Sequence, residues 1–298
     1  MEALTQAQID EYQEVGAIVV PDRLGPGDLA EIRAVVDRFY DLAREMTASD
    51  DRIDLEDSHR PGDPRIRRIK RPDRQADVFR RLMLSDAILA PVRDLIGPDL
   101  RLHTSKLNMK SAGFGAAVEW HQDWAFYPHT NDNVLAVGVM LDDMAEENGP
   151  LMIFPGSHKG PIFDHHSKGV FIGAMHLGAC GFDIRDAVTL TGSAGSISIH
   201  HARVVHGSAL NRSERDRRLL FYEMMAADAF PIMGGLTTFA SIADYNALML
   251  CGQPTLEPRV DPVPVRIPQP QPGEYGSIYE IQKALGNRGF EIYKGEDA

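Results

Sequence analysis

Apolar positions along the chain change their period near residue 98. Before it they recur at helical spacing. In "GDLAEIRAVVDRFYDLARE", Leu29, Ile32, Val35, Val36 and Phe39 fall on one face of a helix. Thr5 and Gln8 have the spacing of a capping box, opening an earlier helix that stops near Gly16. "AIVVP" (17–21) reads as a short strand closed by proline, and Ser85 opens a helix in "DAILAPVRDLIG" that ends at Gly97. After Pro98 the period drops to two. "LRLHTSKLNMKS" (100–111), "VLAVGVMLDD" (134–143), "LMIFPGSH" (151–158), "AVTLTG" (187–192), "SISIHHARVVHGS" (196–208) and "RLLFYEMMA" (218–226) read as strands. Turn signals divide them at Asn131-Asp132, Asn148-Gly149-Pro150, 192–195 and Asn211-Arg212-Ser213. Many short strands at this spacing predict a sandwich, barrel or jelly roll beneath an N-terminal helical layer. Proline is dense from Pro254 to Pro272, which predicts an extended wrap. No repeat or compositional break divides the chain. The expectation is one domain: 1–98 mostly helical, 99–228 a β core, and 229–298 a C-terminal wrap.

Composition narrows the function classes. The 298 residues are 43% hydrophobic, enough to bury a large core. A net charge of −12 argues against general binding to nucleic acid or an anionic membrane. Cys180 and Cys251 are the only cysteines, which suits a reducing compartment rather than a disulfide scaffold. "MEALTQAQIDEYQEVG" has no apolar stretch of signal-peptide type, no run of 18 apolar residues occurs, and "YKGEDA" matches no peroxisomal or retention signal. The expected location is the cytoplasm.

Candidate chemistry concentrates in "WHQDWAFYPH" (120–129). Side chains two apart on a strand share a face, so His121 and Asp123 could offer an imidazole and a carboxylate to one ion. Alone, the triplet reads more readily as solvated surface than as a ligand pair. A third ligand is needed, and His206 in "RVVHGSALNRSERDRR" is the best placed, late in the β region and before a polar turn. Two histidines and one carboxylate form the facial triad of non-haem iron(II) oxygenases, which leaves coordination positions open. His200 and His201 are rival third ligands, His201 sharing the parity of Ile197 and Ile199.

"WHQDW", "NGPLMIFPGSHKG" and "HGSALNRSERDRR" together resemble the phytanoyl-CoA dioxygenase family of iron(II)- and 2-oxoglutarate-dependent oxygenases, over roughly Thr5 to Ala226 and in order. The resemblance implies a mainly β fold with N-terminal helices around a double-stranded β-helix, a cupin-like jelly-roll core. It implies iron(II) on His121, Asp123 and His206, with O2 and 2-oxoglutarate as co-substrates. The family's arginine eleven residues beyond the distal histidine is Arg217 here. A planar guanidinium suits the far carboxylate of 2-oxoglutarate. Its neighbour Arg218 points to the opposite face of the strand. Ser208 shares a face with His206 and can help hold the same carboxylate. Gln122 and Ser105 match further co-substrate contacts of the family. The implied reaction is hydroxylation of an unactivated C–H, releasing succinate and CO2, and Asp123 implies a hydroxylase rather than a halogenase. Trp120, Trp124, Phe126 and Tyr127 are candidate walls of the substrate pocket, with ordinary core packing the competing reading. Gly138 or Val139 stands where mammalian members have a pocket tryptophan, so their substrate preference does not carry over.

A small-molecule metabolite is the expected substrate. The segment Arg60 to Arg81 carries nine basic and three acidic residues, a net +6 that leaves −18 on the rest. Its prolines and Gly62 predict a loop, either a solvated face or a steering patch for an anionic substrate. The alternatives to this oxygenase are a jelly-roll metal enzyme that does not use 2-oxoglutarate, and a non-catalytic jelly-roll binding protein.

Overall fold

The computed structural model describes residues 3–113, 115–233, 239–273, 277–285 and 288–290; "YKGEDA" lies outside them. The helical layer begins as the sequence predicts. The Thr5 hydroxyl accepts from the Gln8 N–H, the Gln8 carboxamide accepts from the Thr5 N–H, and the helix Gln6–Val15 ends at Gly16 with φ 87°. Helices Pro26–Ala43 and Asp86–Ile96 follow the apolar stripes. No helix among the described residues is long and apolar enough to cross a membrane.

The fold is mainly β. A large antiparallel sheet runs Ala17–Val20, Ile197–His201, Val134–Met140, Arg217–Ala226, Leu100–Lys110, Ile66–Lys70, Ile53–Leu55, with Met249–Cys251 also paired to Leu100–Lys110. One face of this sheet presents Ile69, Leu107, Val137, Ile199, Leu220 and Tyr222, which pack with Ile32, Val36, Phe79 and Ile88 of the helices into the main core. The opposite face turns polar toward its middle. Register places Arg217 beside Lys110, Leu219 beside Asn108 and Phe221 beside Lys106. A smaller antiparallel sheet runs Val188–Thr189, Met152–Ile153, His206–Ser208, Val118–His121. A cavity of about 420 Å³ is lined by residues of both sheets and by Ile278, Tyr279 and Ile281 of the C-terminal region.

Three sequence expectations change. The strand expected over 196–208 is two strands: Ile197–His201 belongs to the large sheet, and His206–Ser208 to the small one. The strand expected over 151–158 shrinks to Met152–Ile153, because Pro155 and Gly156 (φ 75°) turn the chain into a short 3-10 helix at Ser157–Lys159. The basic segment is not a loop. Ile66 and Ile69 are fully buried, and Ile66–Lys70 is a strand, followed by helices Pro72–Gln75 and Asp77–Met83. Acidic neighbours make this packing tolerable: Arg67 meets Glu56 at 3.0 Å, Asp57 at 3.0 Å and Glu280 at 3.1 Å, while Arg68 and Lys70 share Asp54. From 252 to 273 the proline-rich chain has no helix or strand, as its composition predicts.

Candidate active site

Strand register brings the two histidines together. His206 is the direct partner of His121 across the small sheet. Gln122 is extended, and Asp123 opens a 3-10 turn rather than continuing the strand. The turn folds its carboxylate back beside the imidazoles. Asp123 Oδ1 lies 3.6 Å from His121 Nε2 and 3.8 Å from His206 Nε2. One ligand atom from each of the three residues falls within 4.8 Å of the others.

The protonation pattern suits a cation. His121 Nδ1 donates to the Glu119 carbonyl at 2.7 Å, and His206 Nδ1 donates to the Val204 carbonyl at 3.0 Å. A carbonyl only accepts, so each ring carries its proton on Nδ1 and turns an Nε2 lone pair inward. Burial, reinforced by the neighbouring His121, holds His206 well below the ordinary histidine range, in its neutral form. Burial alone would raise the Asp123 carboxyl, but its polar surroundings, the Lys106 charge among them, hold it well below the usual range. Two imidazoles and a carboxylate, all buried, are the donor set that iron(II) takes with positions left open.

A second cluster lies at the other end of the cavity. Arg217 and Lys110 are partners in register, both buried, and among the described residues no carboxylate is within ion-pair distance of either. The Arg217 guanidinium donates to the Gly149 carbonyl, and its Nε has no partner among the described residues. Lys110 Nζ donates to Ser208 Oγ at 2.8 Å and to the Ala209 carbonyl. Burial lowers the Arg217 guanidinium to about 10. Burial and the adjacent Arg217 push the Lys110 ammonium well below its ordinary value. A desolvated guanidinium with no carboxylate at ion-pair distance among the described residues, and an amine beside it that an anion would protonate, fit an anionic ligand. The "NGP" turn builds their floor: Gly149 has φ 68°, and a Cβ there would sit 2.4 Å from the Ala209 carbonyl oxygen. Arg218 points to the other face, forked onto Asp142 at 2.9 and 2.7 Å.

The remaining expected site residues divide. Phe126 and Tyr127 line the cavity, Phe126 edge-on to the His121 ring at 5.8 Å. Trp120 packs between Phe154 and Phe290, and Trp124 sits in a second core with its indole N–H on the Pro264 carbonyl at 2.9 Å; both are core residues rather than cavity walls. Gln122 does not line the cavity. Its carboxamide donates to the Pro161 and Arg203 carbonyls and accepts from the Phe163 N–H, so it clamps backbone. Ser105 shares the helix-side parity of Leu107, and its hydroxyl is taken by Asp73. His200 occupies the cavity face with Nε2 3.5 Å from Asp123 Oδ2, outside the three-residue cluster, while His201 stacks against Tyr12 and His158. The Ile197/Ile199 face turned out to be the helix-packed one, which reverses the parity argument for His201. His165 is buried and accepts from the Gln122 N–H at 2.9 Å.

Sequence reasoning missed Lys110, Lys106, Glu223, Arg71 and the C-terminal cover. For the first two a signal existed: the alternation in "SKLNMK" puts Lys106, Asn108 and Lys110 on one face.

Paired imidazoles and a carboxylate facing a buried anion seat define the site of an iron- and 2-oxo-acid-dependent oxygenase. Comparison with known proteins agrees. The family model "Phytanoyl-CoA dioxygenase (PhyH)" matches residues 12–219. A probable alpha-ketoglutarate-dependent hypophosphite dioxygenase of Stutzerimonas stutzeri is 34% identical over 92% of this chain and 96% of its own length. The L-proline trans-4-hydroxylase of Streptomyces griseoviridis is 28% identical over 70% of this chain and 82% of its own. The structure of EctD from S. alaskensis with 2-oxoglutarate and 5-hydroxyectoine superposes with a TM-score of 0.65 at 21% identity, covering 89% of each chain, a likeness of fold. The chain belongs to the phytanoyl-CoA dioxygenase family. It is an iron(II)- and 2-oxoglutarate-dependent dioxygenase of the hydroxylase type, with O2 as co-substrate. The alternatives of a metal enzyme without 2-oxoglutarate and a non-catalytic binding protein fall away.

Proposed function

We propose that this dioxygenase hydroxylates a small anionic metabolite at an unactivated C–H or equivalent bond, on a single jelly-roll domain working in the cytoplasm. The two facing antiparallel sheets support the jelly roll, and the free cysteines Cys180 and Cys251 suit a reducing compartment. The observation that carries the reading is one cavity holding both the three convergent ligand atoms and the buried Arg217 guanidinium with the Lys110 amine beside it.

In this reading His121, Asp123 and His206 hold the iron. Arg217 and Lys110 hold the far carboxylate of 2-oxoglutarate, with Ser208 bridging Lys110 to the strand that carries His206. Iron(II) with 2-oxoglutarate and O2 supplies the oxidising power that inserts oxygen into the substrate, leaving succinate and CO2. The chain does the rest. Glu119 and Val204 carbonyls fix both ring tautomers. Phe126 crowds the His121 ring. The Tyr127 hydroxyl lies close to Asp123 and Glu223 and stays protonated, its acidity suppressed first by burial and then by the Asp123 charge. Ile278, Tyr279 and Ile281 contribute C-terminal wall to the cavity. Arg68, Lys70, Arg71 and Lys106 line the same cavity, which supports an anionic substrate. The relatives named for hypophosphite and L-proline support a small one.

The test is succinate formation by protein supplied with iron(II), 2-oxoglutarate and O2. Wild type should form succinate, and Asp123→Ala should form none above the protein-free rate. Equal turnover in both would refute the assignment.

A further inference from the structure

Resting on the oxygenase reading, we propose that Arg71 and Lys106 form the substrate-recognition subsite, built for a single negative charge: a small carboxylate or phosphinate monoanion.

The two cationic ends of the cavity are separate. Lys106 and Lys110 lie on one face of the same strand four residues apart, which is roughly 13 Å along an extended chain. Lys110 belongs to the Arg217 end, joined to the His206 strand through Ser208. Lys106 belongs to the other end, paired with Glu223 on the stretch of cavity wall it shares with His121 and Asp123. A co-substrate reaching from the iron ligands to Arg217 leaves the Lys106 end for the molecule being oxidised.

Arg71 is set into that end at a conformational cost. Its backbone is left-handed, φ 45° and ψ 54°, a region few residues with a side chain adopt. Pro72 follows, and a proline further restricts the residue before it. A brace maintains the strain. The Arg71 N–H donates to the Ser105 carbonyl at 3.2 Å, Arg71 Nε and Nη2 fork onto Asp73 at 3.0 Å each, and the Ser105 hydroxyl grips Asp73 in turn. The fork uses two of the five guanidinium N–H donors. The others remain for the cavity that Arg71 lines. Backbone strain secured by a dedicated carboxylate is the expected construction of a ligand-positioning residue. Ser105, expected from sequence to touch the co-substrate, acts instead through this brace.

Charge count limits the valence: Arg71 and Lys106 are each already matched by a carboxylate, Asp73 and Glu223, so the subsite has no surplus positive charge to hold a dianion. Arg68 and Lys70 are drawn to Asp54, and Lys70 also donates to the Asp50 carbonyl at 2.8 Å, so both are satisfied. Lys106 Nζ meets Glu223 Oε1 at 2.5 Å and lies over the Phe221 ring. Glu223 is buried beside the same space, and His103 feels Glu223, Asp123, Lys106 and Arg71 together. An oxyanion can take the free N–H groups of Arg71 and share Lys106. A second negative charge would face Glu223 and Asp123 unpaired.

The test compares oxyanions of similar size and different charge: hypophosphite (monoanion), phosphite (dianion at mildly alkaline pH) and acetate. L-Prolinamide serves as the cationic control. Binding to the iron- and 2-oxoglutarate-loaded protein is measured by anaerobic calorimetry at millimolar ligand, alongside succinate formation. Wild type should bind at least one monoanion more tightly than phosphite and prolinamide. Arg71→Gln should weaken that binding about tenfold to a hundredfold, Arg71→Lys should restore part of it, and both should leave the 2-oxoglutarate KM within about threefold. Arg71→Gly, which relieves the left-handed strain, should melt within roughly 4 °C of wild type while binding no better than the glutamine variant. Tighter binding of phosphite or prolinamide, absence of monoanion binding, or equal loss of 2-oxoglutarate affinity in Arg71→Gln would each overturn the subsite. A protein that never forms succinate would instead overturn the oxygenase reading beneath it.

Discussion

Replacing Arg217 with alanine separates the co-substrate seat from everything around it. Arg217 is buried, and among the described residues its Nε is unpartnered and no carboxylate neutralises it. Its guanidinium therefore meets 2-oxoglutarate already desolvated, and the fork can place two N–H groups on one carboxylate. A hydrogen bond to a charged group is worth about 1.5–3 kcal/mol, so losing the fork while Lys110 remains should cost roughly 2–4 kcal/mol. That is about thirtyfold to a thousandfold in 2-oxoglutarate affinity. Arg217→Lys keeps charge without the fork and should fall between. Arg218→Ala is the control, since Arg218 spends its fork on Asp142 on the helix side and should leave the co-substrate KM within about threefold. The assay is initial succinate formation against 2-oxoglutarate concentration, read as KM and kcat separately. Arg217→Ala should raise KM and leave kcat at saturation largely intact. A greater KM effect from Arg218→Ala, or a kcat loss at unchanged KM in Arg217→Ala, would refute the reasoning.

Other outcomes follow from the same structure. Burial lowers the Lys110 ammonium well below its ordinary range, and a bound dianion would favour its charged form. Binding above that lowered value must take up a proton, so 2-oxoglutarate affinity should weaken with rising pH, by up to about tenfold per unit, and Lys110→Met should flatten the profile. His129, His165 and His201 are each lowered to about 3, chiefly by burial. Their unfolded forms bind protons from about pH 6.5 downward while the folded forms do not, so stability should fall by several kcal/mol between pH 6.5 and 3, measurable by denaturant titration. Gly149→Ala places a Cβ 2.4 Å from the Ala209 carbonyl oxygen in a left-handed turn. It should cost about 1–3 kcal/mol of stability and raise the 2-oxoglutarate KM by displacing the acceptor of Arg217; an unchanged KM would argue against that seat.

Local pattern was readable and pairing was not. The capping box at Thr5, the stripe in Pro26–Ala43 and the alternation of Leu100–Lys110 depend on residues close in sequence, and all three appear as expected. His121 and Asp123 were found by strand parity, although Asp123 leaves the strand for a 3-10 turn. Convergence comes instead from the His121–His206 register. Lys110, Arg71 and Glu223 enter the cavity only through the pairing of strands more than a hundred residues apart or through a single left-handed residue. Neither leaves a periodic trace. The basic segment misled for a related reason. Its charge hid two isoleucines that the core required, and the carboxylates that neutralise it come from neighbouring strands and from Glu280.

The most direct measurement is an anaerobic titration of the protein with iron(II) and then 2-oxoglutarate, following the weak visible absorption produced when 2-oxoglutarate chelates protein-bound iron. Wild type should develop the band at one iron and one 2-oxoglutarate per chain. His121→Ala, Asp123→Ala and His206→Ala should abolish it, and His200→Ala should retain it. Absence of the band in wild type, or its loss in His200→Ala with survival in His206→Ala, would contradict the site assigned to this chain.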